Sequence, residues 1–538
     1  MLSSIFNSGI PAVCNISATE ANFQAYYDYV NHSTVALEPT KTYQALVKDN
    51  KKGYTLLFDQ RLIPFLLHCH VTPQGIVDLE TLFKNPRPIF DSSFRPQVWC
   101  FSIKDWTNKC TELPLTFAGA DMEFMIWLYN LRVTYPWLEI YICDDDVSGA
   151  FRQIKYHPNL VGMHTSRQCD LGVLNTGATF GDNTSPSNFD PVARARRYSS
   201  RYHWLHNPEV VELVRPFLPS IQHTPAPSRA EVAAFTPADA DSLNPGVLHP
   251  DGSRLSPPYS MHVDDCLYAD VLEFLPKSVS ASAAGLFSIL GFPNDPLVPV
   301  CLSEEKFLSF YTHLRRCLGR QYNSRTLTVG MLPYKRDQLL STLSAWLSRG
   351  TFDLMEVSSL LGQLDNHTRY VRWARIWYCS LQNCVRRILT QRFHVLRRLR
   401  ARFASCGASL FRVLPRTLSY RVHSLILREQ AQFLWASRST FCLDKPTRAT
   451  LQFLFDYVSS EPSPWETPLG LIIPRTPHFE SFGDASQLGG GAFCPQLEFW
   501  FDLGWSAQIA SGCKLQPSHP GYVHINALEF IVLLLQLA

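Results

Sequence analysis

Two adjacent acids in an apolar setting, Asp264 and Asp265 of Met261-His262-Val263-Asp264-Asp265-Cys266-Leu267-Tyr268, constrain this chain more than any other stretch. Short apolar runs on either side predict a β-hairpin that holds the acids at a tight turn. Neighbouring carboxylates repel one another and burial adds to the cost, so a fold tolerates the pair poorly unless a cation lies between them. Upstream, Leu138-Glu139-Ile140-Tyr141-Ile142-Cys143 alternates and then runs into Asp144, Asp145 and Asp146. A strand there delivers a carboxylate to its end, where Val147-Ser148-Gly149 begins a turn. Brought together, strand end and hairpin tip give three carboxylates able to hold two divalent metals, as in-line phosphoryl transfer requires.

The 538 residues allow several domains, at about 100–200 residues each. A hydrophobic content of 46% and an aromatic content of 12% imply packed cores. The net charge of +3 by itself points to no nucleic-acid partner, but its distribution does. Residues 366–428 hold fourteen arginines and no Asp or Glu. Unpaired arginines repel one another until an anion is bound, and a duplex backbone is a natural one. The fifteen cysteines show no Cys-x-x-Cys pair and no zinc-like spacing, which suits reduced thiols of an intracellular protein, cytoplasmic or nuclear. In His68-Cys69-His70 three consecutive side chains cannot converge on one ion. No signal pattern and no membrane-spanning apolar run is found.

Three motifs in order carry a resemblance to reverse transcriptases. Asp146-Val147-Ser148-Gly149-Ala150-Phe151 resembles their motif A. Phe180-Gly181, with Pro186 and Phe189, resembles the motif B spacing of retroelement enzymes. His262-Val263-Asp264-Asp265 resembles the Tyr-x-Asp-Asp of motif C, with His in place of Tyr. The resemblance covers roughly residues 60–535. It implies an α+β right-hand polymerase of fingers, palm and thumb with an antiparallel palm sheet. It also implies an RNA-directed DNA polymerase of a retrotransposon, DIRS-like or gypsy-like. By the same resemblance Asp146, Asp264 and Asp265, with the backbone carbonyl of Val147, hold two Mg²⁺ ions, or Mn²⁺ in their place. Asp144 and Asp145 are then expected as solvated strand-end charges.

The other parts follow from the same likeness. Lys84 and Arg87 resemble the fingers cations that grip the triphosphate of a dNTP, a task for which Arg offers bidentate contact. Phe151 falls where the family places the ring that excludes a ribose 2′-hydroxyl. Gly181 leaves room for a base or sugar. Lys306 matches a motif D lysine, and Cys317-Leu318-Gly319 the tight turn of a primer grip. The partners implied are an RNA template, a DNA primer, their RNA/DNA duplex and dNTPs.

Along the chain, residues 1–60 form an N-terminal extension and residues 61–330 fingers and palm. Residues 62–95 read as strands and turns, and 120–135 as a helix. Arg194, Arg196, Arg197 and Arg201 form either a basic cluster for template phosphates or a solvated helical face. Nine prolines in residues 216–258 make that stretch a loop-like insertion. Residues 331–420 are a helical, basic thumb in which Arg369, Arg372 and Arg375 share one face as nucleic-acid contacts. Residues 421–477 are a connection.

From residue 478 the chemistry changes. Glu480-Ser481-Phe482-Gly483-Asp484 with Gly489-Gly490-Gly491, then Trp505 and His524-Ile525-Asn526-Ala527-Leu528-Glu529, resemble a retroelement RNase H of α/β type. Asp484 and Glu529 match its first two carboxylates, and a third is not reached by Ala538. The domain is therefore expected to be partial and without RNase H activity. Two alternatives stay open: a catalytically silent nucleic-acid-binding relic, and an RNA-dependent RNA polymerase, against which Phe151 and the RNase H-like segment argue.

Overall fold

Residues 140–143 are apolar at every position, so a strand built from them has two greasy faces and belongs inside a layered core. The computed structural model places it there. It describes residues 2–10, 23–77, 87–96, 100, 102–106, 119–182, 184–207, 209, 212, 246–291, 301–302, 313–368, 378, 381–382, 440–460, 466–474, 480–516, 519 and 521–537. The chain divides into two compact units, residues 1–238 with 246–473, and residues 239–245 with 474–538.

In the larger unit the described strands are β1 (Thr55–Asp59), β2 (Gln74–Val77), β3 (Arg87–Phe90), β4 (Ile140–Asp146), β5 (Thr165–Gln168), β6 (Leu171–Asn175), β7 (Ser260–His262) and β8 (Asp265–Val271). They continue as β9 (Leu314–Cys317), β10 (Arg320–Asn323), β11 (Thr328–Gly330), β12 (Thr351–Asp353), β13 (Thr440–Cys442) and β14 (Thr467–Pro468). The principal helices are α1 (Pro39–Lys51), α2 (Ala120–Thr134), α3 (Ala150–Gln153), α4 (Ser185–His206), α5 (Leu275–Leu290), α6 (Pro333–Arg349), α7 (Leu354–Thr368) and α8 (Lys445–Ser459). Strands pair antiparallel in the orders β4-β8-β7, β1-β6-β5, β14-β11-β10-β9, β2-β3 and β12-β13. Helices and antiparallel sheet together make the class α+β.

The β4–β8 pair sits between two hydrophobic clusters. On one face Tyr141, Cys143, Cys266 and Tyr268 pack under Phe189 and Trp204 of α4 and Val279 and Leu286 of α5. On the other, Ile140, Ile142, Leu267 and Ala269 meet Phe124, Leu128 and Leu131 of α2. Helix α2 falls within the residues expected, carries Asp121 and Glu123 in its first turn where the dipole favours them, and stops ahead of Pro136. Helix α6 ends at Gly350, whose φ of +70° closes the last turn. Leu339, Leu343 and Trp346 of α6 share a core with Leu451, Leu454 and Val458 of α8. The helix at residues 447–458, assigned from sequence to a connection, thus packs with the one at the start of the expected thumb.

The stretch 246–258 departs from a solvated linker. Val247 is fully buried, and the Arg254 guanidinium stacks on Trp127 at 4.8 Å while donating to Asp270 at 2.7 Å. Proline denies the segment regular structure, but its apolar and charged side chains still find places in the core. The rest of the insertion and Lys84, Lys306, Arg369, Arg372 and Arg375 lie outside the described residues.

The smaller unit has a three-stranded antiparallel sheet, β15 (Phe482–Ala485), β16 (Gly489–Cys494) and β17 (Phe499–Gly504). It is followed by α9 (Ala507–Gly512) and α10 (Ile525–Leu537), and Leu528 and Val532 of α10 bury Ala485 and Ala492.

Candidate active site

The hairpin expected from sequence is β7–β8, and its turn is two residues long, Val263 and Asp264. Val263 has φ +59°, a left-handed conformation that a β-branched residue adopts only at a cost of about 1–3 kcal/mol. Its side chain packs against the α4–α5 core, which holds the turn in this shape. Strand β4 delivers Asp146 directly opposite Asp265, and Asp264 stands near enough for the charges of both to act on it. Burial, then the charges of Asp146 and Asp265, push the Asp264 carboxyl up to about 7. The three acids singled out from sequence are therefore gathered at one place by two adjacent strands.

Among the described residues, no three His, Cys, Asp or Glu side chains are already close enough to hold a metal ion. The chemistry of the donor set nevertheless fits a hard divalent cation: three carboxylates, one of them pushed toward neutrality by burial and by the other two. Val147 follows β4 in an isolated bridge with Leu302. The bond there runs from the Ser148 N–H to the Cys301 carbonyl at 2.7 Å and uses neither backbone group of Val147.

Asp144 and Asp145 correct an expectation, for neither is solvated. The strand runs on to Asp146, so alternate acids point to opposite covered faces. Asp144 pairs with Arg315 of β9, and Asp145, about 1% exposed, pairs with Arg196 of α4. Arg196 is equally buried and so leaves the arginine group, whereas Arg194, paired with Asp190 at 2.9 Å, Arg197, paired with Glu123, and Arg201 line one groove along α4.

Beside the carboxylates, an aromatic row joins the sequence-derived substrate residues. Gly149, at φ +62°, turns the chain into α3 with Tyr54 packed against it, and α3 presents Phe151. Phe151 lies 5.5 Å from Phe180 and 5.9 Å from Phe189, and the Arg87 guanidinium stands 5.9 Å from the Phe180 ring. Gly181 is needed for a close approach, but to protein: at φ +105°, a Cβ there would come within 2.1 Å of the Phe90 carbonyl. The Phe90 N–H donates to the Phe180 carbonyl at 2.9 Å, so β3 is docked on this loop. Sequence reasoning placed Gly181 against a base or sugar because Phe90 is 91 positions away and nothing local marks it.

The Cys317-Leu318-Gly319 turn is confirmed as tight, with φ +48° at Leu318 and +75° at Gly319 between β9 and β10. In the smaller unit Asp484 lies on the sheet face opposite Ala485, and therefore opposite Leu528 and Val532 of the helix that carries Glu529. Across that outer face Asp484 and Asp502 flank Gly491, and the two acids line one open groove. Asp502 was not anticipated from sequence; its alternation with Phe501 and Leu503 was the available signal.

No family model matches the chain, and no curated protein matches it. Among solved structures it is similar to foamy viral protease-reverse transcriptases. One, in complex with dsDNA and described as dRH, matches with a TM-score of 0.42 at 11% identity over 99% of this chain and 63% of that one. A second dsDNA complex gives 0.41 at 11% over 95% and 72%, and an RNA/DNA hybrid complex 0.40 at 11% over 99% and 48%. The chain thus spans less than two thirds of the first of these. With TM-scores below 0.5, the likeness carries no weight for function beside the geometry of the carboxylates. Among the described residues no helix is long and apolar enough to cross a membrane.

Proposed function

We propose that the larger unit is an RNA-directed DNA polymerase of a retroelement, extending a DNA primer on an RNA template. The observation that carries this reading is the convergence of Asp146, from the end of β4, with Asp264 and Asp265 at a strained hairpin tip, where burial and then its neighbours push the Asp264 carboxyl up. In the reaction, a primer 3′-hydroxyl attacks the α-phosphate of a dNTP and pyrophosphate leaves. Asp146, Asp264 and Asp265 would hold Mg²⁺, and Val147 lies next to them in the chain. When bound, the metal lowers the hydroxyl pKa and offsets charge on the leaving group. Arg87, set by Phe180, would meet the triphosphate, and Phe151 would stand against the sugar. The basic residues 366–428 would follow the duplex backbone.

Primer extension on poly(rA)/oligo(dT) with Mg²⁺ and dTTP, beside Asp264→Asn, tests the reading. Incorporation by the natural chain and none by the variant is expected. A silent nucleic-acid-binding protein is the second reading, favoured by His262 where the resembled motif has Tyr. Salt-dependent duplex binding without extension would select it.

A further inference from the structure

The β4–β8 pair poses a problem of register. Both strands are buried on both faces, so sliding one past the other exchanges apolar contacts for apolar contacts at every position except the acids. Between alignments two residues apart, hydrophobic patterning therefore discriminates weakly. Yet a slip of two residues, which keeps every side chain on its own face, would carry Asp146 about 7 Å away from Asp265. Something else must set the alignment.

Two buried acids on the face toward α5 are built alike. Asp145 of β4 receives Arg196 on one oxygen and the Ser282 hydroxyl on the other, at 2.7 Å. Asp270 of β8 receives Arg254 at 2.7 Å on one oxygen and the Ser278 hydroxyl at 2.7 Å on the other. Ser278 and Ser282 stand one turn apart on α5. Each strand is therefore pinned, by a fully engaged carboxylate, to the same rigid helix. Buried ion pairs are poor sources of net stability, since apolar groups of similar volume often do as well or better, and their best-attested use is to select one register. Arg196 fits that role: its Nε and Nη1 are buried without a hydrogen-bond partner, so it is not an optimised stabilising contact.

We propose that α5 is a ruler: by gripping Asp145 and Asp270 through Ser282 and Ser278, it fixes β4 against β8 and so places Asp146 opposite Asp265. Asp145, Arg196 and Ser282 are positioning residues for the carboxylate site. The consequence for catalysis rests on the polymerase reading; the register itself does not.

The test reads register directly. In the full chain, Asp146→Cys/Asp265→Cys places two thiols on partner residues, and diamide oxidation followed by peptide mapping reports a 146–265 disulfide. Partner Cα atoms lie within disulfide range, whereas a two-residue slip puts them beyond it. The cross-link is expected in the otherwise natural chain. It should fall about tenfold or more when Asp145→Leu, Arg196→Met and Ser282→Ala are added, although melting shows the triple variant folded. An undiminished cross-link in that background would overturn the ruler. If the triple variant does not fold, Ser282→Ala alone decides, with partial loss expected and no change contradicting. In the chain with its acids intact, the same triple change should cut kcat for extension about 100-fold with little change in the KM for dNTP. A natural chain that extends no primer but loses the cross-link in the triple variant would refute the polymerase reading and keep the ruler.

Discussion

Asp264→Asn should make the metal-free protein more stable while abolishing primer extension. The Asp264 carboxyl stands at about 7 in the folded chain against 3.8 for an ordinary aspartate, because burial and the charges of Asp146 and Asp265 disfavour its ionisation. A folded pKa above the unfolded one means that the penalty is absent below pH 3.8, grows as pH rises, and is complete above about 7. Three units correspond to about 4 kcal/mol at pH 8, and to about 2 kcal/mol at pH 5.5. Asparagine keeps the shape and removes the charge. In EDTA at pH 8 the variant should melt higher, by about 5 °C for a unit of this size, with the gain shrinking toward pH 5. Adding Mg²⁺ should raise the melting temperature of the natural chain and leave the variant nearly unmoved, since a cation that binds only the folded site stabilises by mass action. A variant that melts no higher in EDTA, or a gain independent of pH, would refute the idea that the three acids are pressed together. Equal Mg²⁺ shifts in both chains would remove the cation from this site.

Phe151→Ala should admit ribonucleotides, raising the ratio of rUTP to dTTP incorporation by about tenfold or more in single-nucleotide extension, because the ring held by Phe180 and Phe189 is gone. Gly181→Ala should cost about 2 kcal/mol or more and release β3, seen as faster exchange of the Phe90 amide, since both φ +105° and the Phe90 carbonyl stand against a Cβ. Burial, with His164 adding to it, lowers His70 to about 3, so His70 by itself should take about 3 kcal/mol from stability between pH 7.5 and 4.5, opposite in sign to the Asp264 trend, as the unfolded chain takes up a proton that the folded one refuses. His70→Phe should flatten that acid limb in matched denaturation series, and an unchanged limb would exclude His70 as its source.

What the sequence made legible was whatever local patterning controls. The paired acids between apolar runs specify a hairpin, the alternation ahead of Asp146 a strand, and the apolar periodicity of residues 120–135 a helix, and each of these is found. Side-chain partners across long separations were not legible. Asp145 meets Arg196 across 51 positions, Asp144 meets Arg315 across 171, and both acids looked solvated because nothing beside them in sequence neutralises them. The arginines of α4 read as one cluster for the same reason: spacing shows that they share a helix, not that Arg196 turns inward and Arg197 finds Glu123. Gly181 announced a close approach without naming the partner.

A strand covered on both faces has few ways to open. The amides of β4 and β8 lie beneath two cores at once, so their protons should exchange only in the rarest, largest openings of the unit. The three carboxylates thus stand on its least yielding part, like teeth set in bone. On the polymerase reading, a movement to admit a nucleotide and let pyrophosphate go would then come from the elements around them, above all the docked β3 strand that carries Arg87 and Phe90. Turnover in such a protein would be timed by how often that strand lifts, not by any loosening of the acids.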